Sequence, residues 1–287
     1  MQAELPWELG LPDGRYLLRS AATGKPERVI VLATLGARQS GRGPGRLKRS
    51  GRRRREVEPQ PEPEPVATTR ATIVDAVPVA VERQARAWLS DVEPERDVPL
   101  AFAALNRLLH ARRIAVADPY LREVSPSQAL TIRAGFGDGE QVSDGEWVHA
   151  VELPWAKAEV KLRRRGAALR PDERLARLLA VREKPLLCEE LTLRARLDLD
   201  QGRLAHAAIE LDRALAAALG ELADEQRSDL PLRVSELKVL HEDVAAAARS
   251  ALDAGASEEI DEDTVRHALE RLEAALRARS AATGTEP

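Results

Sequence analysis

The aromatic residues divide this chain into two parts. The 287 residues include four tryptophans, two tyrosines and two phenylalanines. The last of these eight aromatic residues is Trp155, and none follows it. The second part must therefore build its core from leucine and alanine, which are its abundant apolar residues. We predict an α+β domain over residues 1–160, a helical bundle over 168–280 and a disordered tail over 281–287.

The N-terminal part has the pattern of an antiparallel sheet with helices. Glu82–Leu89 and Pro99–Ala117 have helical apolar spacing, and Asp-Gly pairs at residues 138 and 144 indicate turns. Five runs rich in β-branched residues or alternating in polarity predict strands over Arg15–Arg19, Arg28–Leu35, Thr69–Val79, Ala129–Ala134 and Glu146–Val151. The expected fold class is α+β, a small antiparallel sheet of order roughly βββααββ followed by an all-α helical bundle.

A charged segment, residues 36–67, interrupts the predicted strands. It contains GRGPGRLKRSGRRRR followed by alternating Glu and Pro, without apolar periodicity. Such a composition cannot bury enough apolar surface to fold, so we predict a disordered insertion within the α+β domain.

The arginines of this insertion are candidates for binding nucleic acid. The net charge of the chain is −3, so any such role must be local. The candidate residues are Arg46, Lys48, Arg49, Arg52, Arg53, Arg54 and Arg55. The nearby glutamates and the absence of aromatic stacking residues between Tyr16 and Trp88 limit the binding to weak, salt-dependent attachment. A solvated linker is the alternative interpretation. A second basic patch is a candidate either for contacting nucleic acid or for packing against acidic helix ends; it consists of Lys161, Arg163, Arg164, Arg165 and Arg170.

Helical apolar spacing runs through most of the C-terminal part. The predicted helices are Asp172–Val181, Leu187–Asp200, Arg203–Leu222, Pro231–Leu252 and Glu262–Arg279. Pro171 suits a first helical turn, Asp261 or Ser257 suits a cap, and Gly202 closes a hairpin between the second and third helices.

Within that hairpin, QGRLAHAAIELDRAL (Gln201–Leu215) resembles the turn and second helix of a tetratricopeptide repeat. Gly202 stands at the turn glycine of the family, and Ala207 and Ala214 stand at its small positions. The resemblance covers residues 188–221 and implies a helical scaffold for protein binding. Departures are Ala195 for a glycine, Leu211 for an aromatic residue and Leu219 for a proline. No second copy follows at the repeat spacing, so we expect one repeat-like hairpin in a small bundle. A generic alanine- and leucine-rich hairpin is the alternative.

Two glycine-containing sequences are better explained by turns than by phosphate binding. Gly135–Gly139 follows a predicted strand, but Asp138 and Glu140 place negative charge where a pyrophosphate would lie, and turn residues follow rather than a helix. The pair Gly24-Lys25 lacks the first glycine of a P-loop, because Arg19 occupies that position.

The sequence also gives little indication of a metal site or of a catalytic nucleophile. No two of the five histidines lie three to five residues apart, and the aspartates near Gly202 lack the spacing of a calcium loop. Cys188 lies in an apolar stretch beside Glu189 and Glu190, which favours a core cysteine over a reactive thiolate. We expect no cofactor and can name no catalytic residue.

The remaining features favour a cytoplasmic protein of bacterial composition. A single cysteine excludes an internal disulfide, and no apolar run approaches the roughly 18 residues that span a bilayer. We therefore expect no membrane partner.

Three functions are compatible with this pattern. The first is a non-catalytic adaptor or scaffold that binds another protein through its C-terminal helices. A second is a nucleic-acid- or ribosome-associated factor that uses the Arg-rich insertion. The third is an enzyme with a pocket near Trp147, His149 and Tyr120.

Overall fold

An antiparallel sheet forms the centre of the N-terminal unit. The computed structural model describes residues 1–20, 22–36, 66–155, 171–223, 230–253 and 260–283. The chain divides into compact units of residues 1–158 and 159–287; the first is α+β and the second is helical, as predicted. The strands are β1 (Gln2–Leu5), β2 (Gly14–Arg19), β3 (Pro26–Leu35), β4 (Thr68–Asp75), β5 (Thr131–Phe136) and β6 (His149–Glu152).

The sheet contains one strand more than predicted, β1, so four strands rather than three precede the helices. The strand order is β2-β3-β4-β1-β5-β6, and β1 pairs antiparallel with both β4 and β5. Only Ala3 and Leu5 of its residues are apolar, and Pro6 follows. Such a short segment has too little alternation to be recognised, and its pairing partners hold it in the strand conformation.

Two helices follow the first four strands: α1 (Glu82–Ser90) and α2 (Pro94–Val116). On α2, Phe102, Leu105 and Leu109 are buried in one cluster with strand residues such as Leu5 and Ile30. The predicted start at Pro99 is wrong because Pro94 already occupies the first turn. Pro99 lies inside the helix, where it removes one hydrogen bond.

The connection between β5 and β6, where two Asp-Gly turns were predicted, also contains a helical turn, α3 (Gln141–Asp144). The predicted strand Glu146–Val151 starts too early, because Trp147 lies against Gly135 instead of extending β6. A Cβ atom at Gly135 would lie 2.5 Å from the Trp147 ring and 2.5 Å from the His149 carbonyl oxygen. Gly135 therefore serves packing within the hairpin.

The described part of the second unit has five helices: α4 (Pro171–Leu179), α5 (Leu187–Asp200), α6 (Leu204–Glu221), α7 (Leu230–Leu252) and α8 (Glu262–Thr283). Gly202 adopts a φ of 70° in the turn between α5 and α6, a conformation that favours glycine. The core of this unit is built chiefly from leucine and alanine, as predicted, together with Val244 and Val265, and Leu211 and Leu215 of α6 are fully buried there. Asp261 accepts backbone hydrogen bonds from Asp263 and Thr264, which confirms it as the cap of α8.

The last helix continues beyond its predicted end at Arg279 to Thr283, into the segment expected to be a disordered tail. Residues 284–287 lie outside the described ranges.

Candidate protein-interaction surface

The helix α4 exposes apolar side chains that its amphipathic pattern would ordinarily bury. Leu175 and Leu179, one turn apart, are 53% and 75% exposed, and none of the helix residues is fully buried. Val181, just after the helix, is 76% exposed. We call these three residues the α4 surface. Single exposed leucines are common on proteins, but a cluster at helical spacing is typical of a contact site.

Ion pairs fix the orientation of α4. The Arg174 guanidinium donates to Glu183 at 2.8 Å and to Glu189, in the first turn of α5, at 2.7 Å. Arg177 donates to the other oxygen of Glu183 at 3.0 Å. Burial disfavours the charged form of Glu183, but the two guanidinium groups outweigh this effect and lower its pKa below the ordinary value. The polar side of α4 is thus anchored by partly desolvated charges, while its leucines remain accessible.

Val181 adopts an unfavourable backbone conformation at the end of α4. Its φ is 56°, in the left-handed region that a β-branched residue rarely occupies. The conformation lets the N–H of Arg182 donate to the carbonyl of Arg177 at 2.9 Å, which closes the helix. Glycine would satisfy this geometry without strain. An exposed valine in its place adds apolar surface at the expense of local stability.

A carboxylate from the last residue of α6 holds the first turn of α5. Glu221 accepts hydrogen bonds from the backbone N–H groups of Leu187 at 2.9 Å and Cys188 at 3.0 Å. Cys188 itself is fully buried, as predicted. Burial, followed by the neighbouring Glu221 carboxylate, raises the pKa of its thiol well above the ordinary value. Its environment is that of a structural cysteine.

The sequence-predicted site residues are distributed as follows. Arg46, Lys48, Arg49 and Arg52–Arg55 lie outside the described residues, and so does the second basic patch. Tyr120 is 84% exposed on the loop after α2. The His149 ring lies 5.4 Å from the Phe136 ring, and Trp147 covers Gly135, so both residues take part in hairpin packing.

Two histidines of the described residues lie beside carboxylates. His241 lies 3.0 Å from Asp212 between α7 and α6, and His110 lies 3.7 Å from Glu123. Within the described ranges, no three His, Cys, Asp or Glu side chains gather in a way that could hold a metal ion. An open depression between α7 and α8 is lined by Ile260 and smaller residues together with Asp243 and Asp261, and Asp261 is already engaged as a cap.

The sequence pattern predicts α4 as a helix but does not reveal its exposed face. A short helix with leucines at one-turn spacing has the pattern of a core-facing helix, and only the fold shows that the bundle core excludes it. Among the described helices, none has the length and apolar content of a membrane span. Comparison with protein-family models, with curated proteins and with solved structures found no match to this chain.

Proposed function

We propose that this chain is a non-catalytic interaction protein, an adaptor or scaffold, that binds a protein partner through the α4 surface. The observation that carries the proposal is the exposure of Leu175 and Leu179 on a helix that ion pairs hold in a fixed orientation. Because Leu175 and Leu179 are already ordered on a helix, their burial by a partner requires little further loss of backbone entropy. Burying a leucine side chain contributes about 1.5–3 kcal/mol.

The expected mode of binding is helix-in-groove recognition. Residues one turn apart on an amphipathic helix are the usual anchors of such contacts. The strained conformation of Val181 supports the proposal, because exposed strain of this kind is more readily explained by binding than by stability. The tetratricopeptide-like hairpin of α5 and α6 is proposed to act as the rigid scaffold that presents α4.

The proposal is tested by partner capture with the full-length chain. The wild type and the Leu175→Ser/Leu179→Ser variant are immobilised and exposed to native lysate, and the captured proteins are quantified by mass spectrometry. The matched control is Leu232→Ser/Val239→Ser on α7, because these residues are also exposed apolar residues on a helix of the same unit. We expect the α4 variant to lose a specific protein that the wild type and the control retain. Equal capture by all three would overturn the proposal.

A further inference from the structure

The outward side of α5 carries a second, separate set of exposed residues. Leu187, Leu193 and Leu197 are 59%, 69% and 42% exposed. Between them lie Glu190 and Arg194, whose side chains are 59% and 57% exposed. We call these five residues the α5 surface. The buried residues of the same helix lie on its opposite side: Cys188, Thr192, Ala195 and Leu199.

The charges of the α5 surface are arranged so that the surface can pair with itself. Glu190 and Arg194 are one turn apart, and Arg194 donates to Glu190 at 3.0 Å within the helix. If two such helices run antiparallel about a two-fold axis that crosses the exposed face at the level of residue 192, each Glu190 lies opposite Arg194 of the other copy. A parallel arrangement in register would instead place like charges together, which is destabilising.

We infer that the α5 surface binds the α5 surface of a second copy of this chain, with the two helices antiparallel. In this arrangement Leu193 meets its own counterpart near the axis, and Leu187 lies opposite Leu197. The leucines supply apolar burial, and four alternating charges surround them. A two-fold contact of this kind uses the same residues on both copies.

This inference goes beyond the proposed function, because it assigns a separate protein contact of the helical unit to a second copy. It uses different residues from the α4 surface, so either contact can fail without the other. One helix face per copy makes a small interface, and we expect a dimer that dissociates in the range of about 1–100 µM.

The test is sedimentation velocity of the full-length chain over about 1–200 µM, a range that brackets the expected dissociation constant. The variants are Glu190→Arg, Arg194→Glu and the double exchange Glu190→Arg/Arg194→Glu. Each single change places four like charges at the contact and should weaken dimerisation at least about tenfold. The double exchange restores alternation and should restore the dimer. The control pair Glu82 and Arg86 on α1 has the same spacing and exposures of 59% and 56%, and its single exchanges should have no effect.

A wild type that stays monomeric throughout this range overturns the inference, and so do single exchanges that leave the dimer intact. A double exchange that folds normally by circular dichroism but stays monomeric also overturns the charge pairing. Loss of the dimer with α4-dependent partner capture retained refutes only this inference. Loss of that capture with the dimer intact refutes only the proposed function.

Discussion

The Glu221 carboxylate at the end of α6 accepts a hydrogen bond of 3.0 Å from the backbone N–H of Cys188 in the first turn of α5. Its other oxygen accepts from Leu187 at 2.9 Å. Two otherwise unpaired N–H groups at the start of α5 are thus satisfied by the last residue of α6. Partial burial opposes the charge of Glu221, but these hydrogen bonds outweigh it and lower its pKa below the ordinary value. The contact fixes how the hairpin closes beside α4.

Replacing Glu221 by glutamine should destabilise the helical unit. Glutamine can accept only one of the two hydrogen bonds and removes the favourable charge at the helix N-terminus, so we expect a loss of about 1 kcal/mol at pH 7. Urea unfolding followed by circular dichroism measures the change. Glu242→Gln, at an exposed position on α7, should change stability by less than about 0.5 kcal/mol.

The pH dependence supplies the check on this prediction. Because the folded-state pKa of Glu221 lies below its unfolded value, the charged carboxylate stabilises the fold above the ordinary glutamate pKa of 4.5. That contribution is lost as the pH falls through the lower folded-state pKa. The wild type and Glu221→Gln should therefore converge in stability under acid conditions. A difference that persists unchanged at low pH would show that the charge is not responsible.

Cys188 should be unreactive in the folded protein. Its side chain is fully buried and its thiol pKa is raised, chiefly by burial, so little thiolate is present or accessible at neutral pH. We expect Ellman's reagent to react slowly without denaturant and at once in guanidinium chloride. Since it is the only cysteine, the reaction reports opening of the α5–α6 hairpin. Immediate stoichiometric reaction under native conditions would contradict the assigned burial.

Val181→Gly should stabilise the chain and weaken its partner binding. Relief of the left-handed conformation is worth about 1 kcal/mol, while the loss of an exposed apolar side chain reduces the α4 surface. Thermal unfolding and partner capture measure the two effects. Ala117→Gly is the control, because Ala117 is also a non-glycine residue in this conformation, with a φ of 52° after α2. It should stabilise without affecting capture. A Val181→Gly chain that is destabilised but captures its partner normally would contradict the inference that the strained conformation of Val181 serves partner binding.

The Arg-rich insertion should be removable without unfolding the sheet. β3 and β4 pair as far as Leu35 and Thr68, and a Cβ on Gly36 would lie 3.3 Å from the Val66 carbonyl oxygen. Joining Gly36 directly to Val66 therefore leaves a short hairpin loop, and stability should change by less than about 1 kcal/mol. Fluorescence anisotropy with labelled oligonucleotides should show that any salt-sensitive binding by the full chain is lost. Binding that survives both the deletion and high salt would place a nucleic-acid site elsewhere.

The sequence-based predictions succeeded where the pattern is long and failed where tertiary contacts decide. The helices α5 to α7 were located to within a residue or two, because each repeats apolar residues over several turns. β1 was missed because four residues with two apolar side chains form a central strand only through β4 and β5. The β5–β6 hairpin was predicted, but its α3 turn and the contact of Trp147 with Gly135 depend on packing across the hairpin.

The α4 surface could not be predicted from the sequence, for a related reason. Leu175 and Leu179 have the spacing of core residues, yet they are exposed on a helix whose Arg174 is held by Glu183 and Glu189. These two ion pairs join residues nine and fifteen positions apart, outside the range of helical periodicity. Periodicity reveals which side of a helix is apolar, but not whether the fold covers it.

Site-specific photo-crosslinking tests the central claim most directly. A photoreactive phenylalanine analogue placed at Leu179 or at Leu232 occupies an exposed position on α4 or α7, since these leucines are 75% and 80% exposed. After irradiation in native lysate, we predict that the position 179 probe yields a discrete adduct with another polypeptide, identified by mass spectrometry, and that the position 232 probe does not. Equal adducts at both positions, or none at position 179, would contradict a partner-binding role for the α4 surface.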